Sequence, residues 1–198
     1  VANGLYQGLP NDESRDTFQL PKIVQELYDK KWWGDKTKQG YYKKVVNDGK
    51  KEILELNLET FEYESKSKVK LDILDKTKNE EDVKKRLKIA IESSGKEGEF
   101  YRKTFFDLFK YCTFRIPEIA DELYRIDQAV AAGFGWEIGP FATWDAMGVK
   151  ECFDKMTEMG LAPATWVSEM LDAGHSSFYK FENGKKQYYD IPTKSYKV

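Results

Sequence analysis

The chain has 198 residues, of which 40% are hydrophobic and 33% are charged, and its formal net charge is -2 at pH 7. This length can bury one core or two small ones. The slightly acidic balance gives no electrostatic basis for binding nucleic acid or an anionic membrane, and no apolar run approaches the roughly 20 residues that span a bilayer. The two cysteines, Cys112 and Cys152, stand among apolar residues, which favours buried reduced thiols over a disulfide and indicates a cytoplasmic protein.

The N-terminal part predicts a helix followed by a hairpin. Residues 1–20 form a polar entry segment, and Pro21 then opens a pattern in which apolar residues recur at helical spacing. Strands are predicted at Tyr41–Val46 and Glu52–Leu58. Between them stands Asn47-Asp48-Gly49, which is a strong turn signal because Asp-Gly tolerates positive φ.

The next segment predicts a surface connection and one helix. Residues 60–79 are lysine-rich and weakly patterned, so we expect them to run over the surface. Asn79 is a candidate N-cap, and apolar residues then repeat every four positions, which predicts an amphipathic helix over residues 80–93. Gly95 is placed to end it, and the lysines of the helix are predicted to form a solvated face rather than a phosphate contact.

From Phe100 onward the chain is aromatic, and its apolar spacing is helical. One apolar stripe continues to Val130 and is interrupted at Pro117. Two shorter helices and a second hairpin are predicted after it, at residues 149–156, 163–174 and 178–191, the hairpin turning at Glu182-Asn183-Gly184.

The segment from Ala131 to Asp145 holds three glycines and a proline among aromatic residues. Glycine allows positive φ and close backbone approach, and proline stops a helix from continuing. The pattern predicts that a helix ends near Gly133 and that another begins just after Pro140. We predict that Asp127 and Asp145 are N-caps or hydrogen-bond partners of this loop rather than catalytic groups.

Two segments follow the same plan and indicate an internal repeat. Each has a proline, an apolar helix, an aromatic pair, and an Asn/Gly turn followed by lysines. The aromatic pairs are Tyr41-Tyr42 and Phe178-Tyr179, and the clearest match aligns QGYYKK and NDGKK with SSFYKF and ENGKK. The shared order of these features favours duplication over chance.

The loop and the repeat resemble a known family. Residues 126–149 closely resemble the C-terminal domain of the L-3-hydroxyacyl-CoA dehydrogenases, in which an acidic residue, a helix of small residues, Gly-x-Gly, Gly-Pro-Phe and an aspartate follow one another. Residues 20–42 resemble the end of the same domain, and the wider sequence is similar to multifunctional fatty-acid oxidation chains that fuse dehydrogenase and enoyl-CoA hydratase. The positions that match the family pattern are Asp127, Gly133, Gly135, Gly139, Pro140, Phe141, Asp145, Gly34, Lys36, Gly40 and Tyr42.

This resemblance implies an all-α fold like the C-terminal domain of 6-phosphogluconate dehydrogenase, in tandem repeat and with small β-hairpins. Residues 1–58 would be the tail of a first copy with its hairpin, residues 59–99 a connecting segment with one helix, and residues 100–198 a second copy with a closing hairpin. The implied role is to shape the substrate cleft and pack the domains of an NAD-dependent dehydrogenase of fatty-acid β-oxidation. Its substrate would be an acyl-CoA, its partners would be the NAD-binding and hydratase domains of the same chain, and a homodimer is also compatible.

The hydride chemistry itself is not predicted in these residues. No G-x-G-x-x-G follows a strand, so we expect the NAD-binding domain to be absent, NAD to bind only in the full-length enzyme, and this chain to be inactive alone. His175 stands just beyond a helix C-terminus, where a structural role is predicted. The family's domain has an asparagine before an arginine on its first long helix; Arg115 matches the arginine, but Phe114 replaces the asparagine. No catalytic, cofactor-binding or metal-ligating residue is therefore assigned, since metal-ligand spacing is missing too.

An alternative hypothesis is a non-catalytic oligomerisation or protein-interaction module, in which the glycine loop is only a helix corner. The chain begins at Val1 without an initiator methionine, and we expect it to derive from a longer polypeptide. The flanking sequence distinguishes the two hypotheses, because only the dehydrogenase predicts a dinucleotide-binding fingerprint upstream.

Overall fold

The computed structural model describes residues 1–47 and 49–198, and the chain divides into two units, Val1–Lys70 and Leu71–Val198. Among its described residues, unit 1 has two helices, two short 3₁₀ turns and an antiparallel sheet in the order β1-β2-β3. Their bounds are α1 (Ala2–Gly8), a 3₁₀ turn (Arg15–Phe18), α2 (Lys22–Asp29), a 3₁₀ turn (Asp35–Thr37), β1 (Tyr42–Asn47), β2 (Lys50–Leu56) and β3 (Tyr63–Ser65).

Unit 2 is helical and ends in a second antiparallel sheet, in the order β4-β5-β6. Its helices are α3 (Asp72–Thr77), α4 (Val83–Glu92), α5 (Lys96–Phe114), α6 (Leu123–Phe134), α7 (Pro140–Met147), α8 (Val149–Glu158) and α9 (Thr165–Asp172). Its strands are β4 (Tyr179–Glu182), β5 (Lys185–Asp190) and β6 (Ser195–Lys197). Within the part of the chain that is described, no helix has both the length and the apolar character needed to cross a bilayer.

Helix α7 lies at the centre of unit 2, where it packs against α4, α5, α6 and α8. Five of its eight residues are buried, so its apolar side chains point in every direction, as expected of a surrounded helix. Trp144 of α7 is fully buried and stacks on Phe109 of α5, with ring centroids 4.9 Å apart. Cys112 and Cys152 are buried, free thiols, and burial raises the pKa of both to about 12.

The prediction of an all-α fold is wrong in the strict sense, because each hairpin belongs to a three-stranded sheet. The third strands, β3 and β6, are three residues long and too short to show a period of two. The supposed surface connection over 60–79 contains β3 and α3, and the polar entry segment contains α1. Asp48, in the predicted turn of the first hairpin, lies outside the described residues.

The helix predicted over 80–93 is confirmed as α4, but its cap differs. Asp82, not Asn79, is the N-cap, and its carboxylate accepts a hydrogen bond from the backbone N–H of Lys84 over 2.8 Å. Gly95 is the N-cap of α5 rather than the end of α4. Helix α4 packs on α7 within unit 2.

The two sheets have the same strand register. The backbone N–H of Leu56 donates to Tyr41 O over 2.9 Å, and Tyr42 pairs with Glu55. In the second sheet, the N–H of Tyr189 donates to Phe178 O over 2.8 Å, and Tyr179 pairs with Tyr188 in the same way. The aromatic pairs that the sequence aligns therefore occupy equivalent positions.

Both sheets are also closed by the same tyrosine contact. The Tyr63 hydroxyl on β3 donates to Gly40 O over 2.6 Å. The Tyr196 hydroxyl on β6 donates to Ser177 O over 2.5 Å. Each bond ties the third strand to the residue just before the aromatic pair, so the two sheets share a side-chain contact as well as a register.

The helix that precedes each sheet ends in the same way. The N–H of Trp32 donates to Leu27 O over 2.9 Å after α2, and the N–H of His175 donates to Met170 O over 3.0 Å after α9. The Trp32 ring then lies 5.5 Å from the ring of Tyr63, and the His175 ring lies 5.2 Å from that of Tyr196. A helix and a three-stranded sheet thus form one repeated structural module.

Candidate functional site

The corner between α6 and α7 is built by two glycines. Gly135 caps the C-terminus of α6 in the left-handed conformation, with φ of 67°. Gly139 is the N-cap of α7, and a Cβ atom added to it would lie 2.4 Å from the Cα of Asp127. Pro140 occupies the first position of α7, where its missing N–H costs nothing. The corner therefore brings the start of α7 directly onto Asp127.

Asp127 links three elements through its carboxylate. It accepts hydrogen bonds from the N–H groups of Phe141 (2.7 Å) and Ala142 (2.9 Å) in the first turn of α7. Its Oδ2 also accepts a bond from the Tyr179 hydroxyl over 2.9 Å. A carboxylate at a helix N-terminus satisfies otherwise unpaired N–H groups and is favoured by the helix dipole. Asp127 thus stabilises α7 from outside that helix and joins it to β4.

Asp145, near the end of α7, binds backbone N–H groups at the start of the same strand, β4. Its two carboxylate oxygens accept hydrogen bonds from the N–H of Phe178 over 2.7 Å and from the N–H of Tyr179 over 2.8 Å. Asp145 therefore binds residues that lie 33 and 34 positions away in the sequence rather than the glycine loop. We call Asp127, Asp145 and Tyr179 the two-aspartate site.

Burial dominates the electrostatics of this site. It raises the pKa of Asp145 to about 7, because desolvation and the neighbouring charge of Asp127 outweigh the two amide donors. It also raises the pKa of Asp127, against the opposing effect of its amide and hydroxyl donors. The pKa of Tyr179 is raised as well, first by burial and then by the charge of Asp127. The Tyr179 hydroxyl therefore stays protonated and acts as a donor.

The predicted motif residues fall into two groups. Asp127, Gly135, Gly139, Pro140, Phe141 and Asp145 lie together around the corner in unit 2, and Gly133 lies on α6 with no atom within 4 Å of an added Cβ. Gly34, Lys36, Gly40 and Tyr42 lie in unit 1, where Gly40 approaches the backbone of Gly34 so closely that an added Cβ would be 2.9 Å from its Cα. Tyr179 was not predicted as a site residue. The sequence marks Tyr179 only as part of the repeated aromatic pair, because no sequence pattern indicates where a tyrosine hydroxyl will form a hydrogen bond.

His175 and Arg115 have local contacts. The His175 ring packs between the rings of Tyr189 and Tyr196, at centroid distances of 5.4 and 5.2 Å. The Arg115 guanidinium lies 4.3 Å from the ring centre of Tyr111 and forms an ion pair of 3.1 Å with Glu118. Neither side chain is among the residues that line the groove beside the two-aspartate site.

That groove has a volume of about 510 Å³. Asp127, Gly139 and Tyr179 form part of its wall, and Lys186 lies with its Nζ 4.1 Å from the Tyr179 ring centre. The tyrosines Tyr124 and Tyr188 also line the groove, and Asp127 itself is buried. Its chemistry suits packing against another surface better than general base catalysis, because both oxygens of Asp127 already accept hydrogen bonds.

The corner does not fit a dinucleotide. Gly133 and Gly135 lie at the C-terminal end of α6, where the helix dipole is negative, whereas a pyrophosphate binds at a helix N-terminus. At the N-terminus of α7, the first-turn amides are already taken by Asp127. Across residues 1–47 and 49–198, no group of three or more His, Cys, Asp and Glu side chains is arranged to hold a metal ion.

Comparisons with known proteins relate most of the chain to proteins named as enzymes of fatty-acid oxidation. The chain is 37% identical over 190 residues to a Bacillus subtilis protein named "Probable 3-hydroxyacyl-CoA dehydrogenase", a match that covers 96% of this chain and 23% of that protein. It is 25% identical over 142 residues to proteins of Rickettsia felis and Rickettsia prowazekii, each named "Putative fatty acid oxidation complex trifunctional enzyme". These matches cover 71% of this chain and 18% of each relative.

No family model matches the chain, and no solved structure matches it either. The chain spans less than a quarter of the length of each curated relative named above. Over nearly all of its own length, the chain is therefore similar to one segment of a protein named as a probable 3-hydroxyacyl-CoA dehydrogenase, and this confirms the resemblance noted in its sequence.

Proposed function

We propose that this chain is the helical, cleft-forming and domain-packing portion of an NAD-dependent L-3-hydroxyacyl-CoA dehydrogenase of fatty-acid β-oxidation, with an acyl-CoA as substrate. The observation that carries the proposal is the 37% identity over 96% of the chain to the Bacillus subtilis relative. The names of the Rickettsia relatives support a multifunctional setting for the same segment.

In this proposal, the segment has the fold of the C-terminal domain of 6-phosphogluconate dehydrogenase in two tandem copies. Residues 1–58 close the first copy, residues 59–99 connect, and residues 100–198 form the second. The repeated helix-and-sheet module supports the duplication, because register and tyrosine contacts are the same in both sheets. The NAD-binding and hydratase domains are the expected partners in the same polypeptide.

The chemical step is assigned to groups outside these residues. The carboxylates of the two-aspartate site are occupied by amide and hydroxyl donors, so a structural role accounts for both of them. His175 is packed between two tyrosine rings and lies outside the groove lining. We therefore expect the 198-residue chain to be inactive alone and NAD to bind only where a dinucleotide-binding domain is also present.

The test compares two proteins in one assay, the NAD-dependent oxidation of 3-hydroxybutyryl-CoA followed by NADH absorbance. The 198-residue chain should form no NADH, whereas the product of the complete reading frame that encodes it should do so. A matched variant of the longer product, His175→Gln, should keep its kcat, because the imidazole packs between the rings of Tyr189 and Tyr196.

Turnover by the 198-residue chain alone would contradict the proposal that the catalytic groups lie outside these residues. A longer product that binds no NAD and oxidises no 3-hydroxyacyl-CoA would instead favour the interaction module. Loss of activity in His175→Gln with unchanged stability would show that His175 takes part in catalysis.

A further inference from the structure

The groove beside the two-aspartate site is lined by polar side chains that the fold leaves without partners. Within the described part of the chain, Lys186 forms no ion pair, and its ammonium lies 4.1 Å from the ring centre of Tyr179. The side-chain amides of Gln128 and Gln187 also line the groove, and neither forms a hydrogen bond with another described residue. Gln128 stands on α6, whereas Lys186 and Gln187 stand on β5, so hydrogen-bond donors are available on both walls.

The acidic side chains of the same groove are already occupied. Asp127 accepts three hydrogen bonds within the fold. Glu137 lies 4.0 Å from the guanidinium of Arg86, which neutralises its charge. Among the charged side chains that line the groove, Lys186 is therefore the one whose charge is not balanced by a neighbour.

Tyrosine rings supply the apolar part of the groove. The ring of Tyr124 packs on that of Tyr188 at 4.7 Å, and the two rings are inclined at 55°. Tyr179 lies opposite Tyr188 in the β4-β5 ladder and lines the groove with it. The volume of about 510 Å³ is within the range of pockets that hold small molecules. The groove thus combines flat apolar surface with one unbalanced cation.

We propose that this groove binds a small aromatic carboxylate. The ring of the ligand packs against Tyr124 and Tyr188, and its carboxylate accepts hydrogen bonds from the Lys186 ammonium and from a glutamine amide. One free cation matches a single negative charge, so a monoanion fits this lining better than a phosphate dianion or a polyphosphate. A cationic ligand is disfavoured, because it meets Lys186 while both acidic groups are engaged.

This site goes beyond the proposed function. It uses side chains of unit 2 alone and needs neither NAD nor the oxidation of a hydroxyl group. The site and the proposed function can therefore fail separately.

Three probes of one shape test the charge preference. Cinnamate, cinnamyl alcohol and cinnamylamine share a flat aromatic body and are negative, neutral and positive at pH 7. Each is titrated into the 198-residue chain, and the backbone amide signals are followed by NMR. Cinnamate should bind about tenfold more tightly than cinnamyl alcohol, because a hydrogen bond to a charged group contributes about 1.5–3 kcal/mol. It should shift the amide signals of Gln128, Gly139 and Gln187, and cinnamylamine should bind most weakly.

A pair of lysine variants locates the binding. Lys186→Gln should weaken cinnamate by about tenfold and leave the affinity for cinnamyl alcohol unchanged. Lys185→Gln is the matched control, because Lys185 is the preceding residue of β5, is equally exposed and does not line the groove. It should change neither affinity. The unchanged binding of cinnamyl alcohol also shows that both variants keep the groove intact.

Each contrary result would overturn the assignment. Equal affinities for the three probes would remove the charge preference, and equal effects of Lys186→Gln and Lys185→Gln would remove the role of Lys186. Signal shifts confined to residues outside the groove would place the carboxylate elsewhere on the chain. The absence of any shift at millimolar cinnamate would show that the groove does not bind this class of ligand.

Discussion

The hydroxyl group of Tyr179 joins the closing sheet of unit 2 to its helical corner, because it donates to Asp127 Oδ2 over 2.9 Å. Tyr179→Phe removes this bond and leaves the ring in place beside Lys186. The backbone N–H of residue 179 also remains bound to Asp145. The substitution therefore isolates one hydrogen bond of the two-aspartate site.

The size of the effect follows from the acceptor. A hydrogen bond to a charged group contributes about 1.5–3 kcal/mol to stability. Asp127 keeps two amide donors in the variant, and the adjoining groove can admit water, so we expect a loss of about 1–2 kcal/mol. For a unit that runs from Leu71 to Val198, this corresponds to a decrease of roughly 3–6 °C in the midpoint of thermal unfolding.

Tyr188→Phe is the matched control for this measurement. Tyr188 lies directly opposite Tyr179 in the β4-β5 ladder, and its ring packs on Tyr124 at 4.7 Å. The same atom is removed from the same sheet, yet no bond of the two-aspartate site is lost, so its effect should stay below about 0.5 kcal/mol. Because the two units can unfold separately, urea unfolding should be followed through the exchange of the Phe141 and Ala142 amides, which report on the corner itself.

The pH dependence provides a second check on the same bond. The Tyr179 hydroxyl lowers the pKa of Asp127 against the larger effect of burial, so it favours the ionised carboxylate. The cost of Tyr179→Phe should therefore be largest where Asp127 is ionised and should shrink once acid protonates it. Equal losses for Tyr179→Phe and Tyr188→Phe, or a loss that grows in acid, would refute the role assigned to this bond.

Two further predictions concern the same corner. Gly139→Ala places a Cβ 2.4 Å from the Asp127 backbone, so it should lower the free energy of unfolding by more than about 3 kcal/mol. Gly133→Ala lies in open space on α6 and should raise the free energy of unfolding by up to about 1 kcal/mol. Similar melting temperatures for the two variants would contradict the close approach. The pKa of Asp145 is about 7 in the folded chain against an ordinary value of 3.8, so its contribution to stability is complete at low pH and is lost as pH rises through 7. Between about pH 5 and pH 8, the free energy of unfolding of the wild type should fall by about 2–3 kcal/mol relative to Asp145→Asn, and a parallel pH profile would show an ordinary carboxylate.

Local backbone requirements explain what the sequence predicts well. The end of α6 and the start of α7 fall within one residue of the predicted positions, because Gly135 needs a positive φ and Pro140 is favoured at the first position of a helix. The buried cysteines also follow from their apolar neighbours. Such features depend on a few adjacent residues, so a pattern in the chain is sufficient to find them.

Contacts between distant residues explain most of the rest. Asp145 looks like a capping residue in the sequence, yet its partners are the amides of Phe178 and Tyr179, more than 30 residues away. Backbone amides carry no residue identity, so no sequence pattern marks them as partners. The third strands were missed for a related reason, because each is a three-residue segment held by the strand beside it.

The two copies of the module separate what a sheet determines for itself from what its surroundings determine. The register, the Tyr63–Gly40 bond and the Tyr196–Ser177 bond are the same although the two hairpins differ in length and a 3₁₀ turn precedes only the first. The exposure of the aromatic pair is not the same, since Phe178 is fully buried and Tyr41 is 44% exposed. The strands alone are therefore sufficient to form the sheet, whereas the burial of Phe178 in unit 2 comes from the rings of Phe141, Trp144 and Trp166. A hairpin can be predicted from its own residues for that reason, whereas the burial of its aromatic pair depends on residues that are distant in the sequence.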